Sequence, residues 1–311
     1  MNLPRNITSF LTWGKNHLLV LIGFILIFQF HALAQVDTIS AKRLKALAQD
    51  DSIPAKPLSS IPKDERTLSI VPDKAYFKSW LTDGRDILIS PYRWNKYQWI
   101  AASGVVVVAA LLYTQDIRIQ QVVQKNQNPF ISSVSTYGLK PWGSTYTIPA
   151  LGILYGVGAI LKDDKARYTA LKGAEAYVFG FITAQVLKQL THRNRPYIND
   201  PPNPYLWAGP FAPFDDSSFP SGHTTIVFAV ATVIATSYSK TIWVPIACYT
   251  LAGLTAASRV YNNDHWFSDV FVGAALGFAI GRTIMNNHIK KLKVLPISHA
   301  GMGVMFVYQL D

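Results

Sequence analysis

Four stretches of this chain run without a single Asp, Glu, Lys or Arg. They lie between Lys96 and Asp116, Lys140 and Lys162, Asp216 and Lys240, and Lys240 and Arg259. Each approaches the roughly 20 residues that an α-helix needs to cross a bilayer. Helices on the surface of a soluble protein keep a charged face toward water, so runs of this kind leave few options besides a bundle of apolar helices. Two weaker stretches complete a set of six. Leu171–Leu190 carries Lys172, Glu175 and Lys188, and Trp266–Met285 is uncharged only from Val270 to Gly281. Both are rich in small residues, including Gly173, Gly180, Gly273, Gly277 and Gly281, which let helix backbones approach closely. The expectation is an all-α, six-helix membrane-embedded bundle over residues 97–290, with Glu175 as a structural polar residue facing its interior. A soluble all-helical protein with apolar core helices is the alternative.

The flanks have a different character. Arg5 and Lys15 precede an apolar core at 18–30, and Ala32-Leu33-Ala34 follows, so 1–34 reads as an export signal or an uncleaved anchor. Residues 35–96 mix both charge signs with five prolines and read as a mostly irregular polar extension, with an interfacial piece around Tyr76–Trp94. Residues 291–311 form a tail that alternates loosely and suits a short strand. Over the whole chain the net charge is +11 with only 15% charged residues. That balance fits a basic face on anionic headgroups, whereas a nucleic-acid binder would not carry such charge-free runs. The single cysteine, Cys248, rules out an internal disulfide or a cysteine-rich zinc site and suits simple packing.

Three short segments hold most of the unusual polar residues of the helical region. They are Lys188-Gln-Leu-Thr-His-Arg-Asn-Arg195-Pro196, Pro220-Ser221-Gly222-His223, and Ser258-Arg259 followed after five residues by His265 and then Asp269. In a sequential up-and-down bundle they fall at the end of the third helix, the start of the fourth and the junction of fifth and sixth, all on one side. Lys188, Arg195 and Arg259 together call for an anion, and phosphate matches the forked donors of arginine. Ser221 is a candidate N-cap, and Gly222 lets an anion approach the backbone N–H groups of the helix start. His265 and Asp269 are spaced to share a helix face, so the carboxylate can fix one imidazole nitrogen and leave the other as a nucleophile. His223 can protonate a departing oxygen. Arg193 and His192 suit headgroup contact at a helix end and stay outside the set, and Trp207 and Trp266 read as interface anchors.

These three motifs, in this order, resemble the signature of the type 2 phosphatidic acid phosphatase and vanadium haloperoxidase superfamily, in its membrane-bound lipid phosphatase branch. The resemblance implies a phosphatase acting on a lipid phosphate or diphosphate through a phosphohistidine formed on His265. It implies Asp269 as the orienting carboxylate and His223 as the general acid. Lys188, Arg195, Ser221, Gly222 and Arg259 would then form the phosphate-binding shell, with no metal and no cofactor. Asp264 beside His265 departs from the small or apolar neighbour usual at that place. Two other readings stay open: a vanadate-dependent haloperoxidase, and a non-catalytic protein that binds or transports phospholipid. The partners expected are a phosphorylated lipid and a membrane, without nucleic acid, and the oligomeric state stays open. Lys162, Lys165, Arg167, Lys240, Arg282, Lys290, Lys291 and Lys293 fall on the face opposite the motifs. The positive-inside tendency therefore places the motifs outside the cytoplasm, on the periplasmic or exterior side of a bacterial envelope. An exported 35–96 segment followed by six spans would place them inside instead, so the span count and the charge bias conflict.

Overall fold

The computed structural model describes residues 70–213, 217–289, 292–297 and 303–308. The expectations for an export signal and for the linker before residue 70 fall outside the described residues. The chain forms helices α1 (Lys74–Ile89), α2 (Lys96–Lys125), α3 (Pro129–Ser133), α4 (Thr147–Ile160), α5 (Asp164–Thr191), α6 (Gly222–Ser237), α7 (Trp243–Tyr261) and α8 (Phe267–Ile289). A hairpin follows, β1 (Leu292–Ile297) paired antiparallel with β2 (Gly303–Tyr308), so the tail contributes two strands. Each of the six expected stretches overlaps one of the longer helices, α2 and α4 to α8.

Local sequence explains where several helices begin. Asn95 Oδ1 accepts from the N–H groups of Tyr97 and Gln98, while the Gln98 side chain accepts from Asn95 N, a reciprocal cap that starts α2. Asp73 caps α1 and Asp163 caps α5 in the simpler one-sided way. Helix α6 is the centre of the bundle, packed against α5, α7 and α8, while α2 lies on α8 and α7 and α4 lies on α5. Ala176, Ala229, Val233, Ile280 and Ile284 form the dry core between α5, α6 and α8. Cys248 packs with Trp142, Phe228 and Tyr249 against a second cluster, as a packing residue should.

Among the described residues two helices are long and apolar enough to cross a bilayer, Lys96–Lys125 and the Phe267–Asn286 part of α8. Two of the charge-free runs are longer than the helices inside them. In the run after Lys140, a 3-10 turn at Lys140–Gly143 uses up the start and leaves α4 with 14 residues. Pro220 delays α6, which has 16 residues. At 1.5 Å per residue those helices reach roughly 21 and 24 Å, short of the about 30 Å hydrocarbon core. The outer surface is nonetheless strongly apolar, with Val106 67% exposed and Leu111, Ile153, Ile160, Val186 and Leu254 similarly bare.

The segment expected to be a solvated, interfacial extension is partly docked. Tyr76 of α1 is buried and donates to Leu171 O at 2.7 Å. Asp83 of α1 is buried against Lys172, which also meets Glu175 at 2.7 Å. Glu175 thus faces the interior as a structural residue, and its Oε1 lacks a hydrogen-bond partner.

Glycine spacing on α8 sets its distance from α6. A Cβ at Gly273 would stand 2.8 Å from Ser221 O, one at Gly281 2.5 Å from Ala229 O, and one at Gly277 would overlap Thr225 O. Only hydrogen fits at these backbone contacts. Gly277→Ala is therefore expected to destabilise by about 1–3 kcal/mol through overpacking. Gly253→Ala on α7, where an added Cβ meets nothing within 4 Å, should be neutral or stabilising. Thermal denaturation of both variants in one detergent checks the contrast.

Candidate active site

The site is assembled at the end of α5, the start of α6 and the turn between α7 and α8. Helix α5 ends at Thr191, and His192 follows in the left-handed conformation with its N–H on Lys188 O. This turn sends Arg193 inward. The Arg193 side chain is fully buried and saturated with partners. Its Nε donates to Pro204 O at 3.0 Å, Nη1 donates to Ser268 Oγ at 2.9 Å and to Asp269 Oδ1, and Nη2 donates to Asp116 Oδ2 at 2.7 Å. The rings of Tyr113, Trp207 and Trp266 surround the guanidinium. His192 is also buried, with Nδ1 2.7 Å from Gly209 O. Headgroup contact at a helix end is thus the wrong role for both. Trp266 is likewise core, 1% exposed with Nε1 donating to Asn194 O, rather than an interface anchor.

Arg193 fixes Asp269, and Asp269 fixes the histidine by way of a serine. Ser218 Oγ donates to Asp269 Oδ2 at 2.5 Å, and Ser218 N donates to Arg193 O at 2.7 Å. The Nδ1 of His265 lies 2.7 Å from Ser218 O and 3.3 Å from Ser218 Oγ. The expected direct carboxylate–imidazole contact is therefore replaced by an Asp269–Ser218–His265 relay. Asp269 Oδ2 also accepts from Trp266 N at 3.2 Å, capping the start of α8. A carbonyl oxygen only accepts, so the bond to Ser218 O puts the ring hydrogen on Nδ1 and leaves the Nε2 lone pair free.

The cations gather around the two imidazoles. His265 lies in the turn before α8. Burial, followed by the charges of Lys188, Arg195, Arg259 and His223, holds its pKa well below the ordinary imidazole value. It is neutral near pH 7. His223, in the first turn of α6, lies in the field of Arg259, Lys140, Arg195 and Lys188. Lys188 donates to Ser217 O. Arg259 is buried, yet its Nε and Nη1 have no hydrogen-bond partner, an arrangement that suits an incoming anion. Among the described residues no group of three or more His, Cys, Asp or Glu is gathered as for a metal.

Ser221 occupies the N-cap position of α6, but its hydroxyl meets Thr224 Oγ1 at 2.9 Å rather than a backbone N–H. Ser221 N donates to Asp269 O at 3.1 Å, which ties the second motif to the third. At Gly222 a Cβ would make only ordinary contacts with Ala184 and Lys188, so close packing within the protein does not demand glycine there. Gly143 is the glycine under steric demand, because a methyl there would overlap the Cβ of His223. Sequence reasoning missed Gly143, Ser218, Ser268 and Asp116. The one available signal was Asp116 itself, a carboxylate closing a charge-free run of 19 residues between Lys96 and Asp116.

Known proteins resemble parts of this chain. Residues 170–293 match the family model described as "PAP2 superfamily", and all three motifs fall within the match. A segment of 66 residues is 48% identical to a "Lipid A 1-phosphatase" of Porphyromonas gingivalis, covering 21% of this chain and 15% of that relative's length. The LpxE crystal structure from Aquifex aeolicus aligns with a TM-score of 0.41 at 24% identity, over 55% of this chain and 94% of that one. A PAP2-type phosphatidylglycerolphosphate phosphatase from Bacillus subtilis aligns with a TM-score of 0.44 at 18% identity, over 60% and 96% of the two chains.

Removing a buried charge that has several partners leaves the others uncompensated, at a cost of about 3–5 kcal/mol. Arg193→Gln is expected to lower the thermal midpoint steeply, whereas Arg195→Gln, on a half-buried residue, should change it little. Parallel melting curves of the two purified variants test the assignment of Arg193 to the fold.

Proposed function

With residues 170–293 of the PAP2 superfamily as premise, we propose that this chain is a membrane-bound phosphatase that hydrolyses a phosphorylated lipid. The observation that carries the proposal is a buried, neutral imidazole on the same site as an arginine whose Nε and Nη1 lack partners. Burial and the surrounding cations hold the His223 pKa down to about 3. A phosphate dianion among those cations offsets them, so that His223 takes up a proton. His265 Nε2 then attacks phosphorus, and the phosphorus–oxygen bond to the lipid breaks as His223 gives that proton to the departing oxygen. The products of this step are a dephosphorylated lipid and a phosphohistidine. His223 then takes a proton from water, which attacks phosphorus and frees inorganic phosphate and His265. Lys188, Arg195 and Arg259, with the backbone N–H of Gly222 at the start of α6, stabilise the charge on the transferring group. Asp269 acts on His265 through Ser218, as a positioning residue.

The membrane assignment is supported by the two helices of spanning length and by the exposed apolar side chains around the bundle. The orientation rests on charge. Lys165 of α5 stacks on Tyr238 at the far end of α6, so the basic face lies at the opposite helix ends from His223. The site then faces the periplasm or exterior. Phosphatidic acid, phosphatidylglycerophosphate, a polyprenyl diphosphate and phosphorylated lipid A are the candidate substrates. The relative named a lipid A 1-phosphatase makes phosphorylated lipid A the first to assay.

Phosphate release from a panel of these lipids, by the purified full chain, tests the activity. His265→Ala should abolish release and eliminate acid-labile phosphate on the protein, while insertion and folding persist. Turnover at the normal rate by that variant excludes His265 as nucleophile. Treatment with EDTA should leave the rate unchanged, because fixed cations do the work that a metal would otherwise do. Metal-dependent loss of activity would refute this point.

A further inference from the structure

Arg259, a cation of the site with two unpartnered nitrogens, stands beside a carboxylate. Asp264 Oδ2 lies 2.8 Å from Arg259 Nη2 and 3.7 Å from Lys140 Nζ. The first contact is close but poorly aligned: Oδ2 is buried and makes no hydrogen bond. The turn that carries Asp264 is firmly held. Asp264 N donates to Arg259 O at 3.0 Å, the Asn262 side chain accepts from Ser135 Oγ at 2.8 Å, and Asn263 accepts from Gln120 at 3.0 Å. Asn263 adopts a left-handed φ of 60°, which asparagine tolerates and which points the next residue back toward Arg259. The carboxylate is thus delivered to the guanidinium by a fixed turn, through a contact weak enough to be broken.

The choice of nitrogen matters. A guanidinium presents two forked faces, Nε with Nη2 and Nη1 with Nη2, so Nη2 belongs to both. Nη2 carries two hydrogens, one for each fork, so Asp264 against Nη2 sets a negative charge beside both forks while Nε and Nη1 remain unpartnered. A phosphate oxygen at Nη2 contends with that charge, so the bidentate contact strengthens when the carboxylate moves away. Lys140, with its side chain 38% exposed, offers the displaced carboxylate a second cation.

We propose that Asp264 is an internal stand-in for phosphate, a positioning residue that competes for Arg259 and limits how tightly the site retains inorganic phosphate. Lys140 receives the carboxylate when phosphate takes its place. The inference rests on the phosphatase reading of the same pocket. Its use to the enzyme is product release: a site lined by several cations would otherwise hold the phosphate dianion and slow each cycle.

The test uses the purified full chain in detergent, with inorganic phosphate as the probe. Binding is measured by calorimetry, and inhibition is measured against hydrolysis of a lipid phosphate. Asp264→Asn and Asp264→Ser should each bind phosphate more tightly, on the order of tenfold, the size of one charge-assisted hydrogen bond. Both should lower KM and kcat together as product release slows. Damage to the fold would weaken binding instead, so tightening is a signature that a merely structural role cannot produce. Lys140→Met should weaken phosphate binding in the native background and have a smaller effect when combined with Asp264→Asn. Unchanged or weaker binding in both Asp264 variants overturns the proposal. An equal loss from Lys140→Met in the two backgrounds overturns the part given to Lys140. If the native chain binds phosphate but releases none from any lipid, the phosphatase reading fails, and the binding comparison still decides whether Asp264 competes.

Discussion

The guanidinium of Arg193 carries the geometry of the whole site. A cation taken fully out of water is costly, and the interior recovers that cost only when every donor is well placed. Here Nη1 meets both Asp269 and Ser268, Nη2 reaches Asp116, and Nε is used on a backbone carbonyl. Asp116 comes from α2, Asp269 from α8 and Arg193 from the turn after α5, so three distant stretches are pinned at one point. Ser268 closes the circuit, donating its hydroxyl to Asp116 Oδ2 at 2.5 Å and its N–H to Asp116 Oδ1 at 3.0 Å. In a low-dielectric interior such a network is stiff when complete and fragile when any member is lost. His265 inherits that stiffness through Ser218, which hangs between Asp269 and the backbone of Arg193.

Backbone proximity supplies the second constraint. Glycines on α8 allow its backbone to lie against α6, and this contact brings Asp269 O within reach of Ser221 N. The start of α6 and the start of α8 are thereby locked in register, which sets His223 relative to His265. Gly143 presses on His223 from the other side and restricts where that ring can stand. The imidazoles are thus placed by helix packing as much as by hydrogen bonds, and the two kinds of contact converge on the same few residues.

Much of this was legible in the sequence, for identifiable reasons. The three motifs are local spacings, and helix geometry alone places their residues at one end of a bundle. Small-residue spacing pointed to two of the longer helices, and charge-free runs revealed the other four, because burial or lipid contact excludes charge over whole turns. They overstated helix length wherever a proline or a 3-10 turn lay inside the run, as at Pro220 and Lys140–Gly143. Arg193 was misassigned for a different reason. An arginine two residues past a helix end looks the same whether it snorkels or turns inward, and the decision lay with Asp116, 77 residues away. Ser218 and Gly143 carried no signal at all, since a serine in a loop and a glycine after a tryptophan have many uses. The docking of α1 was hidden likewise, because Asp83 and Lys172 become a pair only in three dimensions.

Arg193 and Arg259 show that burial does not by itself assign a cation its role. Both are nearly inaccessible, and both meet a carboxylate, yet one is saturated and the other is not. Each nitrogen of Arg193 has an oxygen partner from the protein, so nothing further can bind to it without breaking the fold. Arg259 keeps Nε and Nη1 unpartnered, a deficit that stability alone would disfavour. The deficit is tolerable if an anion completes the set during part of the working cycle. Counting unmet donors thus separates the arginine that builds the pocket from the arginine proposed to serve the substrate, a distinction that residue type and spacing could not make.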